Sequence, residues 1–122
     1  MTSPHLQRGL AAEQLAAEYL RVRGLQILAR NLRCKLGEID LLCLDCDVLA
    51  IVEVRQRERA EFGGALASVN AAKRRKIIGA AQYFLQREKQ WRNLSVRFDV
   101  FAVQGLPDGA HQVEWVKDAF RA

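Results

Sequence analysis

At 122 residues the chain is long enough for one domain with one hydrophobic core. Half of its residues are hydrophobic, which excludes a disordered chain, and no run approaches the roughly 20 apolar residues that cross a bilayer. The net charge of +5 favours a polyanionic partner such as nucleic acid. The N-terminal residues lack the apolar run and the cleavage site of a signal peptide, so we expect a cytoplasmic protein without a membrane segment.

The first predicted element is a helix over residues 6–23, which Gly24 ends as its C-terminal cap. On a helical projection, Glu13 falls in the middle of an apolar sector. The apolar members of that sector are Leu6, Leu10, Ala17 and Leu20. Glu13 therefore lies at the edge of the core, pairs with an arginine or points at a functional site, and these interpretations stay open. Glu18 falls on the polar side, where we expect it to face solvent.

The remaining elements are strands around a second helix. Strands are predicted over 25–33, 38–44, 48–55, 95–103 and 112–116, a loop over 57–70, a helix over 71–87 with Asn70 or Ser68 as N-cap, and a turn at 107–109. The order α-β-β-β-α-β-β predicts an α/β sandwich built on a mixed sheet. No repeat or linker divides the chain, so we expect a single domain over residues 1–122.

Three charged residues lie inside the predicted hairpin strands, namely Asp40, Glu53 and Arg55. Side chains alternate along a strand, so Glu53 and Arg55 share a face. A turn of two or four residues would place Asp40 on that face, opposite Glu53 or one pair removed. A three-residue turn would send it to the other face unless a bulge restored it. We expect an even turn.

Two carboxylates that lie close together raise each other's pKa unless a cation lies between them. A hard divalent ion resolves the conflict, because it prefers oxygen ligands and keeps several waters. Asp40, Glu53 and the backbone carbonyl of Val54 are therefore predicted ligands of Mg²⁺ or Mn²⁺, with Arg55 on a phosphate. The alternative is an ion pair of Arg55 with either acid, which contributes about 0.2–1 kcal/mol.

The chain has three cysteines, Cys34, Cys43 and Cys46. Because this number is odd and the N-terminal sequence shows no export signal, we do not expect disulfides. Cys43 and Cys46 match C-x-x-C, but a structural zinc site needs four ligands with characteristic spacing. We expect Cys43 in a strand and Cys46 in a turn.

A series of short motifs runs along nearly the whole chain. They are G-x-x-x-E at 9–13, AAEYL at 16–20, RN at 30–31, GEIDL at 37–41, VEVRQR at 52–57, FGGA at 62–65, SV at 68–69, RFDV at 97–100 and VEWVKDAF at 113–120. In this order they closely resemble the YraN-like family of uncharacterised bacterial proteins. That family looks like a branch of the restriction-endonuclease-like superfamily and is similar to archaeal Holliday junction resolvases.

The resemblance implies an αβββαβ core, a mixed sheet flanked by helices and a PD-(D/E)xK active site. The acid on the first helix of the resolvases corresponds to Glu13, their metal-binding aspartate to Asp40 and the glutamate of their E-x-K to Glu53. Arg55 departs from the pattern, because it stands where the superfamily has lysine. Arginine stays charged and cannot act as a base, but it can steady a phosphate. The resemblance thus implies a Mg²⁺- or Mn²⁺-dependent DNA endonuclease, with branched DNA as its substrate and a homodimer as its assembly.

Basic residues are concentrated where the second helix begins, although the helix dipole disfavours cations there. We predict that they contact the phosphates of DNA, and a solvated helix face is the alternative. The predicted DNA-binding residues are Arg30, Arg33, Arg57, Arg59, Lys73, Arg74, Arg75 and Lys76. Two other functions remain open: a non-catalytic nucleic-acid-binding module on a nuclease scaffold, and a protein-interaction role in which the acids are structural.

Overall fold

The computed structural model describes residues 4–57, 64–105 and 109–122, without the side chains of residues 4–8 and 65. The elements in order are α1 (Pro4–Val22), β1 (Gln26–Cys34), β2 (Gly37–Asp45), β3 (Val48–Arg57), α2 (Gly64–Ala67), α3 (Ala71–Arg87), β4 (Ser95–Gly105) and β5 (His111–Phe120). A 3₁₀ turn, Lys89–Trp91, joins α3 to β4.

The five strands form one mixed sheet in the order β1-β2-β3-β4-β5. β3 and β4 run parallel, and the other neighbours are antiparallel. α1 and α3 pack against opposite faces of this sheet. The predicted α/β sandwich with a mixed sheet is therefore confirmed, and its order is compatible with an αβββαβ core followed by one more strand.

The first helix ends as its sequence predicts. Gly24 has φ +95°, its amide donates to Arg21 O, and the Leu25 amide donates back to Leu20 O. These two bonds form a Schellman motif, which satisfies carbonyls at the helix end.

The buried stripe of α1 differs from the predicted one. It consists of Ala12, Ala16, Ala17 and Leu20, whereas Leu10 is 51% exposed. Three small alanines let α1 lie close to the sheet. The buried stripe is therefore centred nearer Ala16 than the positions of the leucines in the predicted sector suggested. Glu13 keeps a place beside this stripe and is half-buried.

The second long helix, α3, covers residues 71–87 as predicted. Asn70 is its N-cap, and Asn70 Oδ1 accepts a hydrogen bond from the Lys73 amide at 2.9 Å. Near the start of β2, the α3 backbone approaches Gly37 so closely that a Cβ there would lie 2.5 Å from Lys76 O. Glycine at this position therefore allows the first turns of α3 to sit against the beginning of β2.

The β2–β3 hairpin has the even turn that the sequence predicts. Asp45 pairs with Val48 across a two-residue turn, and the regular pairing ends with Leu41 opposite Val52. Cys46 occupies the turn with φ +55°, and Cys43 is buried in β2. The next position along this register would place Asp40 opposite Glu53.

Both β1 and β2 break their alternation at one place. Ile39 packs on the α3 face and Leu41 on the α1 face, although residues two apart normally share a face. Between the pairs Arg30–Leu41 and Leu32–Ile39, Asn31 lies opposite Asp40 without a change of register, and Asn31 has φ +53°; the register shift of these strands lies between Ile27 and Ala29. We call this break in alternation the Asn31–Asp40 slip. It places Asp40 between the two faces of the sheet.

Two predicted elements were wrong in extent. The predicted loop over 57–70 contains the short helix α2, and the last strand runs from His111 to Phe120 rather than over 112–116. Asp118, with φ +51°, lies in a bulged part of β5, and its amide donates to Asp99 Oδ1. The bulge keeps the strand paired with β4 as far as Phe98, which lies opposite Phe120.

Candidate metal centre

Four acidic side chains from three elements meet where the Asn31–Asp40 slip lies. Glu13 comes from α1, Glu38 and Asp40 from β2, and Glu53 from β3. One carboxylate oxygen each from Glu13, Glu38 and Asp40 lies within 4.8 Å of the others, and Asp40 is hydrogen-bonded to Glu53. We call these four residues the carboxylate cluster. Asp40 is its centre, because it interacts with acids from both faces of the sheet.

Asp40 is held in place by the neighbouring strand. Its Oδ2 accepts a hydrogen bond from the Val54 amide at 2.8 Å. Burial, followed by the charge of Glu53, raises the pKa of Asp40 to about 8, while the Val54 bond acts in the opposite direction. Burial and the charge of Glu53 therefore favour the protonated form of Asp40 in the metal-free protein.

Glu53 is 3% exposed, and two cations approach it. Lys73 Nζ lies 3.5 Å and Arg55 Nη1 lies 3.9 Å from Glu53 Oε1. Burial raises the pKa of Glu53, although Lys73, Asp40 and Arg55 all act to lower it. The two cations thus compensate only part of the cost of burying this carboxylate.

Glu13 reaches the cluster from α1. Burial raises its pKa, the Asn31 side chain opposes this with a hydrogen bond, and the charges of Asp40 and Glu38 raise it further. The Asn31–Asp40 slip therefore has a second effect. It places the Asn31 side chain beside Glu13 of α1, in addition to placing Asp40 between the two faces of the sheet.

Glu38 was not predicted as a site residue. It lies two residues before Asp40 in GEID, and its Oε1 is 3.6 Å from Arg33 Nε. Two acids at alternate positions of one strand tend to share a face, so the spacing offered a signal for Glu38. Lys73 was predicted only as a DNA contact, and its approach to Glu53 depends on how α3 packs on β2.

A second buried acid, Asp99, shows how a structural carboxylate is satisfied in this fold. Asp99 is fully buried. Arg97 Nε donates to both of its carboxylate oxygens, at 3.1 and 3.2 Å. Trp115 Nε1 donates to its Oδ2, and the Asp118 amide to its Oδ1. Asp99 thus has a cation at hydrogen-bond distance and two further donors, whereas Asp40 accepts a described hydrogen bond from the Val54 amide and has no described ion pair.

The donor set of the cluster fits a hard divalent cation. Its side-chain donors are all carboxylate oxygens, which Mg²⁺ and Mn²⁺ prefer. The pKa of Asp40 is raised by burial first and by the charge of Glu53 second, and a divalent cation would relieve the repulsion between these acids. The hydrogen bond between Val54 and Asp40 is made by the Val54 amide and not by its carbonyl. The Val54 carbonyl therefore stays a predicted metal ligand.

A cavity of about 280 Å³ opens beside the cluster, between the β1–β2 turn and the start of α3. Three of its lining side chains are cations. The lining residues are Arg33, Cys34, Gly37, Glu38, Lys73, Lys76 and Ile77. We call it the basic cavity. Glu38 and Lys73 belong both to its wall and to the surroundings of the carboxylate cluster.

The other predicted DNA-binding residues lie elsewhere. Arg30 is exposed on the α1 side and donates to Gln14 Oε1 at 2.8 Å. The Arg57 side chain is 9% exposed, with Nη2 at 3.7 Å from Glu114 Oε1. Arg74 donates to Val69 O and Leu66 O, and Arg75 is exposed. Arg59 lies outside the described residues.

The cysteines are free thiols. Burial raises the pKa of the Cys43 thiol to about 12, so this cysteine stays protonated and is a poor metal ligand. Within the part of the chain that the structure describes, the one group of acidic, cysteine or histidine side chains close enough to hold a metal is that of Glu13, Glu38 and Asp40. Among the described helices, none is long and apolar enough to span a membrane.

Comparison with known proteins yields one family. The family model described as "Uncharacterised protein family UPF0102" matches residues 12–103. A UPF0102 protein of Pseudomonas fluorescens (strain Pf0-1) is 50% identical over 116 residues, which cover 95% of this chain and 94% of the relative. One of Pseudomonas putida (strain GB-1) is 51% identical over 112 residues, or 92% and 91% of the two chains. One of Nitrosococcus oceani is 44% identical over 117 residues, or 96% and 94%.

Proposed function

The chain belongs to the uncharacterised protein family UPF0102, and within this family we propose that it is a Mg²⁺- or Mn²⁺-dependent endonuclease that hydrolyses phosphodiester bonds in DNA. The observation that carries the proposal is the carboxylate cluster, in which acids from α1, β2 and β3 meet beside the basic cavity. An ion-pair role alone does not account for the cluster, because Asp99 shows that this fold can give a structural acid a full set of partners.

The proposed centre consists of Asp40 and Glu53 as ligands, with Glu13 approaching from α1 and Glu38 from the wall of the basic cavity. A bound divalent ion would lower the pKa of a water molecule and neutralise charge on the phosphate. The Val54 amide holds Asp40 in its orientation, and Asn31 does the same for Glu13. These contacts come from strand backbone and strand side chains, so the ligands are positioned before a metal arrives.

Arg55 is proposed to bind the phosphate rather than to move a proton. Its guanidinium stays charged at any pH at which the protein folds, so it cannot accept the proton of the attacking water. Its side chain is 37% exposed and its Nη1 lies 3.9 Å from Glu53 Oε1, so the guanidinium can reach a phosphate beside the proposed ligands. In the hydrolysis, the water oxygen forms a bond to phosphorus and the bond to one sugar oxygen breaks. The leaving sugar oxygen receives a proton, and the second proton of water passes to solvent.

The second candidate function is a DNA-binding module without catalysis. The basic cavity favours it, because Arg33, Lys73 and Lys76 could bind phosphate whether or not a metal is held nearby. A homodimer and a preference for branched DNA stay predictions of the resemblance, and a cytoplasmic location stays a prediction from the N-terminal sequence. Sedimentation would measure the oligomeric state.

The experiment that tests the proposal incubates the protein with supercoiled, single-stranded and four-way-junction DNA, with Mn²⁺ or with EDTA. Asp40→Asn is the test variant. Asp47→Asn is its matched control, since Asp47 is an exposed acid in the turn at the other end of the same hairpin. We expect Mn²⁺-dependent cleavage that Asp40→Asn abolishes and Asp47→Asn keeps. DNA binding without cleavage in any metal would favour the non-catalytic module.

A further inference from the structure

We propose that Lys73 is a catalytic residue of this centre, whose ammonium donates to the phosphate that is cleaved. The inference rests on the proposed nuclease function and assigns a role that the strand sequence around Glu53 does not suggest. Lys73 belongs to α3, 20 residues further along the chain and on a separate element.

The first support is the position of the ammonium. Lys73 Nζ lies 3.5 Å from Glu53 Oε1, nearer than Arg55 Nη1 at 3.9 Å. The Lys73 side chain is 40% exposed, whereas Glu53 is almost fully buried. The Lys73 ammonium therefore lies beside Glu53, which is a proposed metal ligand. The Lys73 side chain is still partly open to solvent, where a substrate can reach it.

The second support is the cavity. Lys73 lines the basic cavity together with Arg33 and Lys76, and of these three described cations Lys73 is the one within ion-pair distance of Glu53. A DNA phosphate that enters the cavity and also approaches the proposed metal ligands must pass Lys73. The residue thus stands at the place where an anion-binding cavity meets the carboxylate cluster.

The third support is the way in which the chain holds Lys73. Its backbone amide is fixed by the Asn70 cap at 2.9 Å, and Val69, just before the cap, is buried. A cation in the first turn of a helix is unfavourable, because the helix dipole is positive there. The cap therefore holds the lysine beside the carboxylate cluster in spite of this cost.

The two cations are suited to different tasks. The guanidinium of Arg55 is a planar fork, whereas an ammonium is a compact charge with three donors. From its position Lys73 can donate to Glu53 and to a non-bridging phosphate oxygen at the same time. It then stabilises the negative charge that grows on the phosphate as the water oxygen bonds to phosphorus.

The test compares Lys73→Gln with Lys89→Gln in full-length protein. Lys89 is an exposed lysine in the 3₁₀ turn at the opposite end of α3 from Lys73, and it does not line the basic cavity. Three quantities are measured: the single-turnover cleavage rate at saturating DNA, the dissociation constant for DNA in Ca²⁺, and the affinity for Mn²⁺ without DNA. Thermal unfolding checks that both variants fold, and Lys73→Arg tests whether a cation at this position restores the rate.

We expect Lys73→Gln to lower the saturating rate by about 10²–10³-fold, as removal of one donor to a developing charge does elsewhere. Its DNA affinity should change less than about threefold, because one phosphate contact of several is lost. Its Mn²⁺ affinity should rise severalfold, since the ammonium no longer competes for Glu53. Lys89→Gln should keep the wild-type rate and the wild-type DNA affinity, and Lys73→Arg should recover part of the lost rate.

Cleavage by Lys73→Gln at the wild-type saturating rate would overturn the inference and leave the nuclease function standing. A rate loss that Lys73→Arg does not relieve at all, in a folded variant, would also overturn it, because a charge-supplying role is then excluded. A wild-type protein that binds Mn²⁺ and DNA but cuts nothing would overturn the nuclease function and this inference together.

Discussion

The backbone amide of Val54 donates a hydrogen bond to Asp40 Oδ2 at 2.8 Å. This contact lies just beyond Leu41–Val52, the last regular pair of the β2–β3 hairpin. Within a regular ladder this amide would donate to a backbone carbonyl of β2. The Asn31–Asp40 slip turns the strand at this point, and the carboxylate of Asp40 serves as the acceptor. The same contact keeps the amide satisfied and holds a carboxylate between the two faces of the sheet.

The first prediction concerns the stability of the metal-free protein. Burial and the charge of Glu53 raise the pKa of Asp40 from 3.8 to about 8. Between these two values the folded chain binds a proton that the unfolded chain does not, so the free energy of unfolding falls as the pH rises. The contribution is fully present below about pH 4 and is lost above about pH 8.

Asp40→Asn removes this titration and keeps an acceptor for the Val54 amide. In EDTA at pH 8 we therefore expect the variant to be more stable than the wild type by at least about 1 kcal/mol, or several degrees in Tm. The difference should shrink at pH 5. Calorimetry at both values checks it, and a Tm difference that does not depend on pH would contradict the titration of Asp40 as its cause.

The second prediction separates the two glutamates of α1. Glu13 lies in the carboxylate cluster, whereas Glu18 is exposed and accepts a hydrogen bond from Gln14 Nε2 at 2.9 Å. Glu13→Gln should lower the affinity for Mn²⁺ by about tenfold, a usual effect of removing a residue that ligates or orients a metal site. Glu18→Gln should bind Mn²⁺ as the wild type does. Equal affinities in a calorimetric titration would show that Glu13 takes no part.

The ends of the helices and the hairpin turn could be predicted because short-range signals determine them. Asn70 caps α3 and Gly24 ends α1, each through bonds between residues three to five positions apart. The two-residue turn of the β2–β3 hairpin, which brings Asp40 close to Glu53, was predicted as an even turn. Other features depend on contacts between distant elements: the slip opposite Asn31, the alanine stripe that leaves Leu10 exposed, and the ammonium of Lys73 beside Glu53.

The third prediction assigns Glu38 to the proposed centre. Its carboxylate lies within 4.8 Å of Asp40 and Glu13, and it also lines the basic cavity. Glu38→Gln should reduce Mn²⁺-dependent cleavage at saturating DNA by about tenfold or more. Asp47→Asn, at the opposite end of the hairpin, is the control and should cut normally. A Glu38→Gln protein with wild-type cleavage would place Glu38 outside the reaction, as a partner of Arg33 alone.

The fourth prediction contrasts the two kinds of buried acid. Asp99→Asn removes the carboxylate that accepts from Arg97 Nε in a buried site, while Arg97 Nη1 keeps its 2.7 Å bond to Asp45 Oδ2. Because one carboxylate partner of the guanidinium remains, we expect a loss of about 1–3 kcal/mol, which denaturant unfolding would measure. At a temperature where the variant stays folded, its Mn²⁺ affinity should equal that of the wild type. Loss of Mn²⁺ binding by a folded Asp99→Asn protein would link this acid to the metal and refute its purely structural role.

Whether the carboxylate cluster holds a metal decides between its catalytic and structural roles, and Mn²⁺ binding answers this without any substrate. Electron paramagnetic resonance would follow free Mn²⁺ as metal-free protein is added, with Asp40→Asn beside the wild type. We expect wild-type binding with a dissociation constant below about 1 mM and a loss of at least about tenfold in the variant. Wild-type protein that binds no Mn²⁺ at that concentration, or a variant that binds as tightly, would show that the cluster is not a metal centre.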